Sequence, residues 1–286
     1  MPTYSKQLEL NRELLRQPPQ MDLSTAEHTY HRLALLDLIQ DVRIGLQLAF
    51  YRTFAVPRIA QLLVQTGQIH AQPHKRSIDT GLFMYELIEA GFDTPRGRDV
   101  VRGLNRMHKR WDISQEDYLY VLVCLMVVPT RWVNTHAPRN MTVEETQAVV
   151  VFYRELGRLM NIANLPETYV EAETFFDEYE ARNVGYSEAG KTLMHETRGV
   201  MAEQLPWPLK PAAPLLTRLM LDDYVADAVG IRRAPPGVAV LAYGIRLARI
   251  LAYSVHTDRQ DSYFTPGRKV NGVYPGGYQF DELGTG

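Results

Sequence analysis

Apolar residues recur at helical spacing along most of the chain. Between positions 29 and 65, Leu33, Leu36, Ile39, Ile44 and Leu48 mark such a pattern. Pro57 divides this stretch into two helices, and Thr66-Gly67 ends the second. A loop rich in His, Gln and Pro (68–74) leads into a helix over 75–90 that Gly91 closes. Thr94 and Pro95 supply an N-cap and a first-turn proline for a helix over 95–109. Ser114 followed by Asp117 resembles a capping box for a helix over 115–128, and Thr142 with Glu145 repeats the pattern for 143–161. Further helices are expected over 167–182, from the Ser187 cap to 203, over 212–229, and from Pro235-Pro236 to 256. No stretch alternates between turn signals as a strand would, and no repeat or low-complexity tract occurs. The pattern predicts an all-α fold. A polar arm (1–25) would precede one multi-helix domain (26–256), and an irregular strap rich in Gly, Tyr and Pro (257–286) would follow it.

Composition narrows the function classes. The 286 residues are 45% apolar and 22% charged, which suffices for a buried core without disulfide or metal staples. Thirty-one basic and 33 acidic side chains leave a net charge of −2, so no global positive field draws nucleic acid or an anionic membrane. The lone Cys124 excludes an internal disulfide, a cysteine-rich zinc site, an iron–sulfur cluster and a c-type haem attachment. The first twenty residues lack the apolar core of a signal peptide. The longest uncharged apolar runs, 118–130 and 234–245, are too short to span a bilayer and suit buried helices. The expectation is a soluble cytoplasmic protein without a membrane anchor.

Several chemistries lack their motifs. There is no phosphate-cradling loop, dinucleotide fingerprint, Glu-x-x-His pair or Gly-x-Ser-x-Gly elbow. His70 and His74 are four apart, but Pro73 between them weighs against a helical metal clip. His108 shares a helix face with Val101 and Leu104, while Arg102 and Arg106 lie roughly opposite. An inward histidine is either a packed core residue bonded to a carbonyl or a ligand to a metal or haem. Arg76 and Thr80 share a face that continues through Phe83, Met84 and Leu87. Such a pair is either an arginine beside a back-bonded threonine or part of a pocket for an anion, dioxygen or a substrate carbonyl.

Taken together, these segments resemble a known family, that of the fungal oxygenase MpaB and the bacterial latex-clearing proteins, or rubber oxygenases. The resemblance is carried by Lys75-Arg76-Ser77-Ile78-Asp79-Thr80, Gly91-Phe92, Asn105-Arg106-Met107-His108, the run 113–122, Pro129-Thr130-Arg131-Trp132 and the stretch 142–160. Tyr274-Pro275-Gly276-Gly277-Tyr278 and Leu283-Gly284 resemble the MpaB side of the family. The resemblance covers roughly 40–165 well and the remainder loosely. It implies a globin-like all-α core that binds haem b through one histidine. His108 would then be the axial iron ligand. Arg76 and Thr80 would be catalytic residues close to the haem, and Phe83, Met84 and Leu104 would line the cofactor site. The implied reaction uses dioxygen or a peroxide on an apolar small molecule, with oxidative cleavage of a carbon–carbon double bond as one form. A haem-binding sensor or carrier without turnover is the alternative, and a helical binding protein without haem is a third reading. Two positions depart from latex-clearing proteins. Asp79 stands where those proteins have a lysine that can cap the iron, and no acid lies within 56–63, where they carry a glutamate. Both departures count against rubber cleavage.

Overall fold

The computed structural model describes residues 4–67, 73–203, 207, 210, 213–231, 244, 261–270 and 272–284. Among them stand twelve α-helices and no strand. They are α1 (Tyr4–Leu14), α2 (Leu23–Arg32), α3 (Ile39–Phe54), α4 (Pro57–Gln65), α5 (Pro73–Ala90) and α6 (Pro95–His108). After these come α7 (Gln115–His136), α8 (Val143–Leu159), α9 (Tyr169–Asn183), α10 (Glu188–Glu203), α11 (Ala213–Met220) and α12 (Asp223–Ala228). The all-α expectation holds. His70 and most of the helix expected up to 256 lie outside the described residues.

Capping chemistry sets several of the boundaries. The Thr94 hydroxyl accepts from the Gly97 amide at 3.0 Å and opens α6 behind Pro95. Thr142 and Glu145 form the reciprocal capping box of α8, each side chain holding the other's amide, at 3.0 and 2.8 Å. Two boundaries differ from the sequence expectation. Asp22 accepts from the Thr25 amide at 2.7 Å, so a helix begins inside the stretch read as an arm, which also contains α1. Helix α7 does not stop at 128 but runs through Pro129 to His136. At this point α3 comes close: a Cβ on Gly45 would stand 2.4 Å from the Pro129 Cα, so the absent side chain lets the two backbones approach.

The helices resolve into two compact units interleaved along the chain. The first comprises Met1–Ala49, Glu86–Tyr179 and Asp258–Phe264. In it α8 packs against α2 and α7. The buried hydroxyls of Tyr30 and Tyr153 meet at 2.9 Å, and Tyr120 stacks on Tyr179 at 4.1 Å between ring centres. Arg96 grips the fully buried Glu86 carboxylate with two bonds of 2.8 and 2.7 Å, the bidentate geometry that offsets the desolvation of a buried acid. By length and composition alone α7 could cross a membrane. Leu119, Tyr120, Leu122, Val123, Cys124, Met126 and Val127 are all buried, as expected of a core helix.

The second unit comprises Phe50–Tyr85, Glu180–Thr257 and Thr265–Gly286. Its described helices pack α10 against α4 and α11. Buried Arg52 joins Glu180 at 2.6 Å, the Tyr224 hydroxyl at 2.9 Å and Asp222. The described part of the strap is irregular, as expected. It holds a single bridge between Val270 and Tyr274 and a short 3₁₀ turn, Phe280–Glu282.

Candidate active site

The start of α5, in the second unit, carries two stripes of residues at four-residue spacing. Lys75, Asp79 and Phe83 form one, and Arg76, Thr80 and Met84 form the other, about 100° around the helix. On the second stripe the Thr80 hydroxyl donates to the Arg76 carbonyl at 2.9 Å and accepts from Arg76 Nη1 at 3.1 Å. The threonine is therefore back-bonded, and its lone pair orients the guanidinium. Desolvation pulls the Arg76 pKa below the usual guanidinium value, and the charge of Asp79 partly offsets this. The side chain stays charged throughout the working pH range. No carboxylate among the described residues forms an ion pair with Arg76. Met84 is buried beyond this pair.

On the first stripe Asp79, 1% exposed, is a meeting point that the sequence did not reveal. Its Oδ1 accepts from the Tyr274 hydroxyl at 2.8 Å. Its Oδ2 accepts from Lys75 Nζ at 2.7 Å and from the Gly284 amide at 3.0 Å. Lys75 also reaches the Glu282 carbonyl at 3.3 Å. Phe83 is buried and meets Phe280 edge-on, with ring centres 5.6 Å apart. Phe83 thus packs against the strap.

His108 occupies the last turn of α6, in the first unit. The face read from the sequence is present, since Val101 and Leu104 are buried and Arg102 and Arg106 exposed. His108 Nδ1 lies 2.8 Å from the Leu104 carbonyl oxygen. A carbonyl can only accept, so Nδ1 carries the proton, and in the neutral ring Nε2 holds the lone pair. The Tyr118 ring stands 5.3 Å from the imidazole, tilted by 32°. Burial pushes the Tyr118 phenol up to about 12. A raised phenol pKa means that the folded state holds the proton more tightly than the unfolded chain. The associated stability is complete below the ordinary tyrosine value near 10 and is lost as pH rises toward 12. Alkaline difference absorption should therefore show a Tyr118 contribution, missing in Tyr118→Phe, that appears only above about pH 11.

The structure brings Arg76 together with Thr80, and His108 together with Leu104, in separate units. Lys75, Asp79, Tyr118 and Tyr274 were legible only as carriers of the resemblance or as a departure from it; their contacts, Asp79 with Lys75 and Tyr274 and His108 with Tyr118, were not. A model of the family described as "ER-bound oxygenase mpaB/B'/Rubber oxygenase, catalytic domain" matches residues 38–252. The chain belongs to this family. The ER-bound oxygenase mpaB' of Penicillium brevicompactum is 26% identical over 210 residues, covering 67% of this chain and 49% of that protein. The ER-bound oxygenase mpaB of Penicillium roqueforti (strain FM164) is 25% identical over 202 residues, covering 64% and 67%. The matched region thus spans about half the length of the first relative and two thirds of the second. Membership of the MpaB/rubber oxygenase family corrects one expectation. Both relatives carry ER-bound in their names, which points to membrane association and overturns the cytoplasmic assignment made from the lone cysteine and the absence of a signal core.

Proposed function

We propose that this member of the MpaB/rubber oxygenase family is a haem b-dependent oxygenase or peroxygenase acting on an apolar small molecule, with oxidative cleavage of a carbon–carbon double bond as the reaction class. The observation that carries the reading is the His108 tautomer. With Nδ1–H held by the Leu104 carbonyl, the ring is fixed and the Nε2 lone pair is of the kind that binds iron. No group of three or more His, Cys, Asp or Glu side chains among the described residues could hold a bare metal ion. A haem needs no such group, because the porphyrin brings four nitrogens and asks one ligand of the protein. The residues present fit haem b.

When bound, haem would supply the activation of dioxygen or peroxide. The remaining roles belong to this chain. His108 holds the cofactor, and the Leu104 carbonyl keeps its ring from turning. Arg76 offers a desolvated positive charge to an anionic group of the cofactor, oxidant or substrate. Thr80 aims the guanidinium through its lone pair. Met84 and Phe83 on α5 and Leu104 on α6 are buried apolar residues of the kind that line an apolar site. Arg76→Gln keeps much of the side chain's bulk and removes the charge. It is expected to lower turnover about 100-fold, as loss of one preorganised charge donor does, while thermal unfolding shifts little.

The test is the absorption spectrum of the full chain purified after haem supplementation. A Soret band, followed by oxygen- or peroxide-dependent consumption of an unsaturated apolar substrate, is expected. A colourless protein would overturn the haem assignment, and a coloured one without turnover would make the chain a carrier or sensor.

A further inference from the structure

We propose that Asp79 is a positioning residue, a clasp that fastens the C-terminal segment 274–284 along one stripe of α5 and thereby fixes the direction in which the adjacent Arg76–Thr80 pair is presented. The inference takes the role of Arg76 from the preceding reading. The assignment of Asp79 is new to it and rests on geometry.

Three donors converge on one buried carboxylate: the Tyr274 hydroxyl, the Lys75 ammonium and the Gly284 amide, at 2.8, 2.7 and 3.0 Å. Charge-assisted bonds of this kind are the strong ones, and burial strengthens them. The same strap is held at two further points of the stripe, by Lys75 on the Glu282 carbonyl and by Phe83 on Phe280. Lys75, Asp79 and Phe83 therefore spend a whole face of α5 on the strap. That face stands next to the stripe bearing Arg76 and Thr80, so fixing one sets the rotation of the other. The Asp79 charge also acts on Arg76, opposing the pull of desolvation on its pKa.

The chemistry explains the departure at this position. A lysine here, as in the latex-clearing proteins, would set a second ammonium beside Lys75 and leave the Tyr274 hydroxyl and the Gly284 amide without the carboxylate that accepts from them. An acid suits the position because three donors, two of them from the strap, converge on it. Residue 79 of this chain is thus committed to its own C-terminal segment.

The test compares the full-length chain with Asp79→Asn, Tyr274→Phe and Asp79→Glu. Two readouts are used, hydrogen exchange of peptides within 272–284 and the rate at which phenylglyoxal modifies Arg76, followed by peptide mass. Neither involves haem, so a colourless protein would sink the preceding reading while the clasp is still decided. Asp79→Asn should speed exchange in the segment about tenfold or more, the consequence of losing charge-assisted bonds. It should also speed Arg76 modification several-fold. Tyr274→Phe keeps the carboxylate charge, cuts one bond and should move both readouts in the same direction by less. It also decides the matter if Asp79→Asn does not fold. Asp79→Glu should restore part of both. Faster exchange in the segment with an unchanged Arg76 rate would overturn the positioning role. Unchanged exchange in Tyr274→Phe and Asp79→Asn would overturn the clasp itself.

Discussion

His108→Ala should remove the Soret band of the haem-supplemented chain or displace it, with an apparent haem affinity lower by at least about 100-fold. The expectation follows from where the residue stands. The imidazole is on the final turn of α6, half-buried, and its Nδ1 proton is held by the Leu104 carbonyl. Replacing it empties little of the core, because the larger buried residues of that face, Val101 and Leu104, remain. The stability cost should therefore stay near 1 kcal/mol, and the circular dichroism of the variant should match the parent. Loss of colour with the fold retained separates a ligand from a packed histidine. Free imidazole added to the variant should restore part of the band, since it supplies the missing nitrogen and nothing else. An unchanged spectrum in the variant would place the ligand on another residue. A variant that unfolds would instead make His108 the packed residue that its spacing alone also allowed.

What could be read beforehand was local. Thr94 before Pro95, and Thr142 before Glu145, are separated from their partners by three residues or fewer, and both caps form as expected. The Arg76–Thr80 contact is one helical turn long and was visible as spacing. Both contacts form: Thr80 spends its proton on the Arg76 carbonyl, the back-bond that the spacing allowed, and its lone pair accepts from the guanidinium. The helix expected to end at 128 continues through Pro129, and nothing nearby announces the close approach of Gly45, more than eighty residues earlier. Asp79 is the extreme case. Its partners Tyr274 and Gly284 lie 195 and 205 residues away, in a segment whose composition said only that it would be irregular. The acid in place of a lysine was legible as a departure, whereas the reason for it needed the strap in place. The cellular location was misjudged for a related reason. A lone cysteine and the absence of a signal core describe this chain's own chemistry, and they say nothing of what holds its relatives to the ER.

Gly97→Ala should cost about 3 kcal/mol or more and lower the unfolding midpoint by roughly 6–10 °C. The turn between α5 and α6 leaves no alternative. A Cβ on Gly97 would stand 1.7 Å from the Gly91 carbonyl oxygen and 2.8 Å from its carbon, so the obstacle is backbone and cannot rotate away. Nor can Gly91 retreat. Its φ of +71° closes α5, its amide bonds the Leu87 carbonyl at 2.9 Å, and the Phe92 amide beside it is held by Glu27 at 2.6 Å. Relief has to come from moving the first turn of α6, where the Gly97 amide is the donor that Thr94 caps. Gly199, exposed in α10 with no atom of the described residues within 4 Å of its would-be Cβ, is the control of opposite sign. Gly199→Ala should stabilise by about 0.5–1 kcal/mol, because alanine stiffens the unfolded chain and suits a helix. Thermal unfolding of both variants reads the difference directly. The Gly97 result also bears on chemistry, because the crossing that a Cβ would force apart fixes where α6 begins and hence which way His108, three turns later, is turned. A Gly97→Ala protein that folds yet binds haem with a shifted spectrum would show that the backbone contact at this turn orients the iron ligand. Unfolding at the parental midpoint would show that the turn yields, and that the close approach of Gly91 and Gly97 is not what sets the helix.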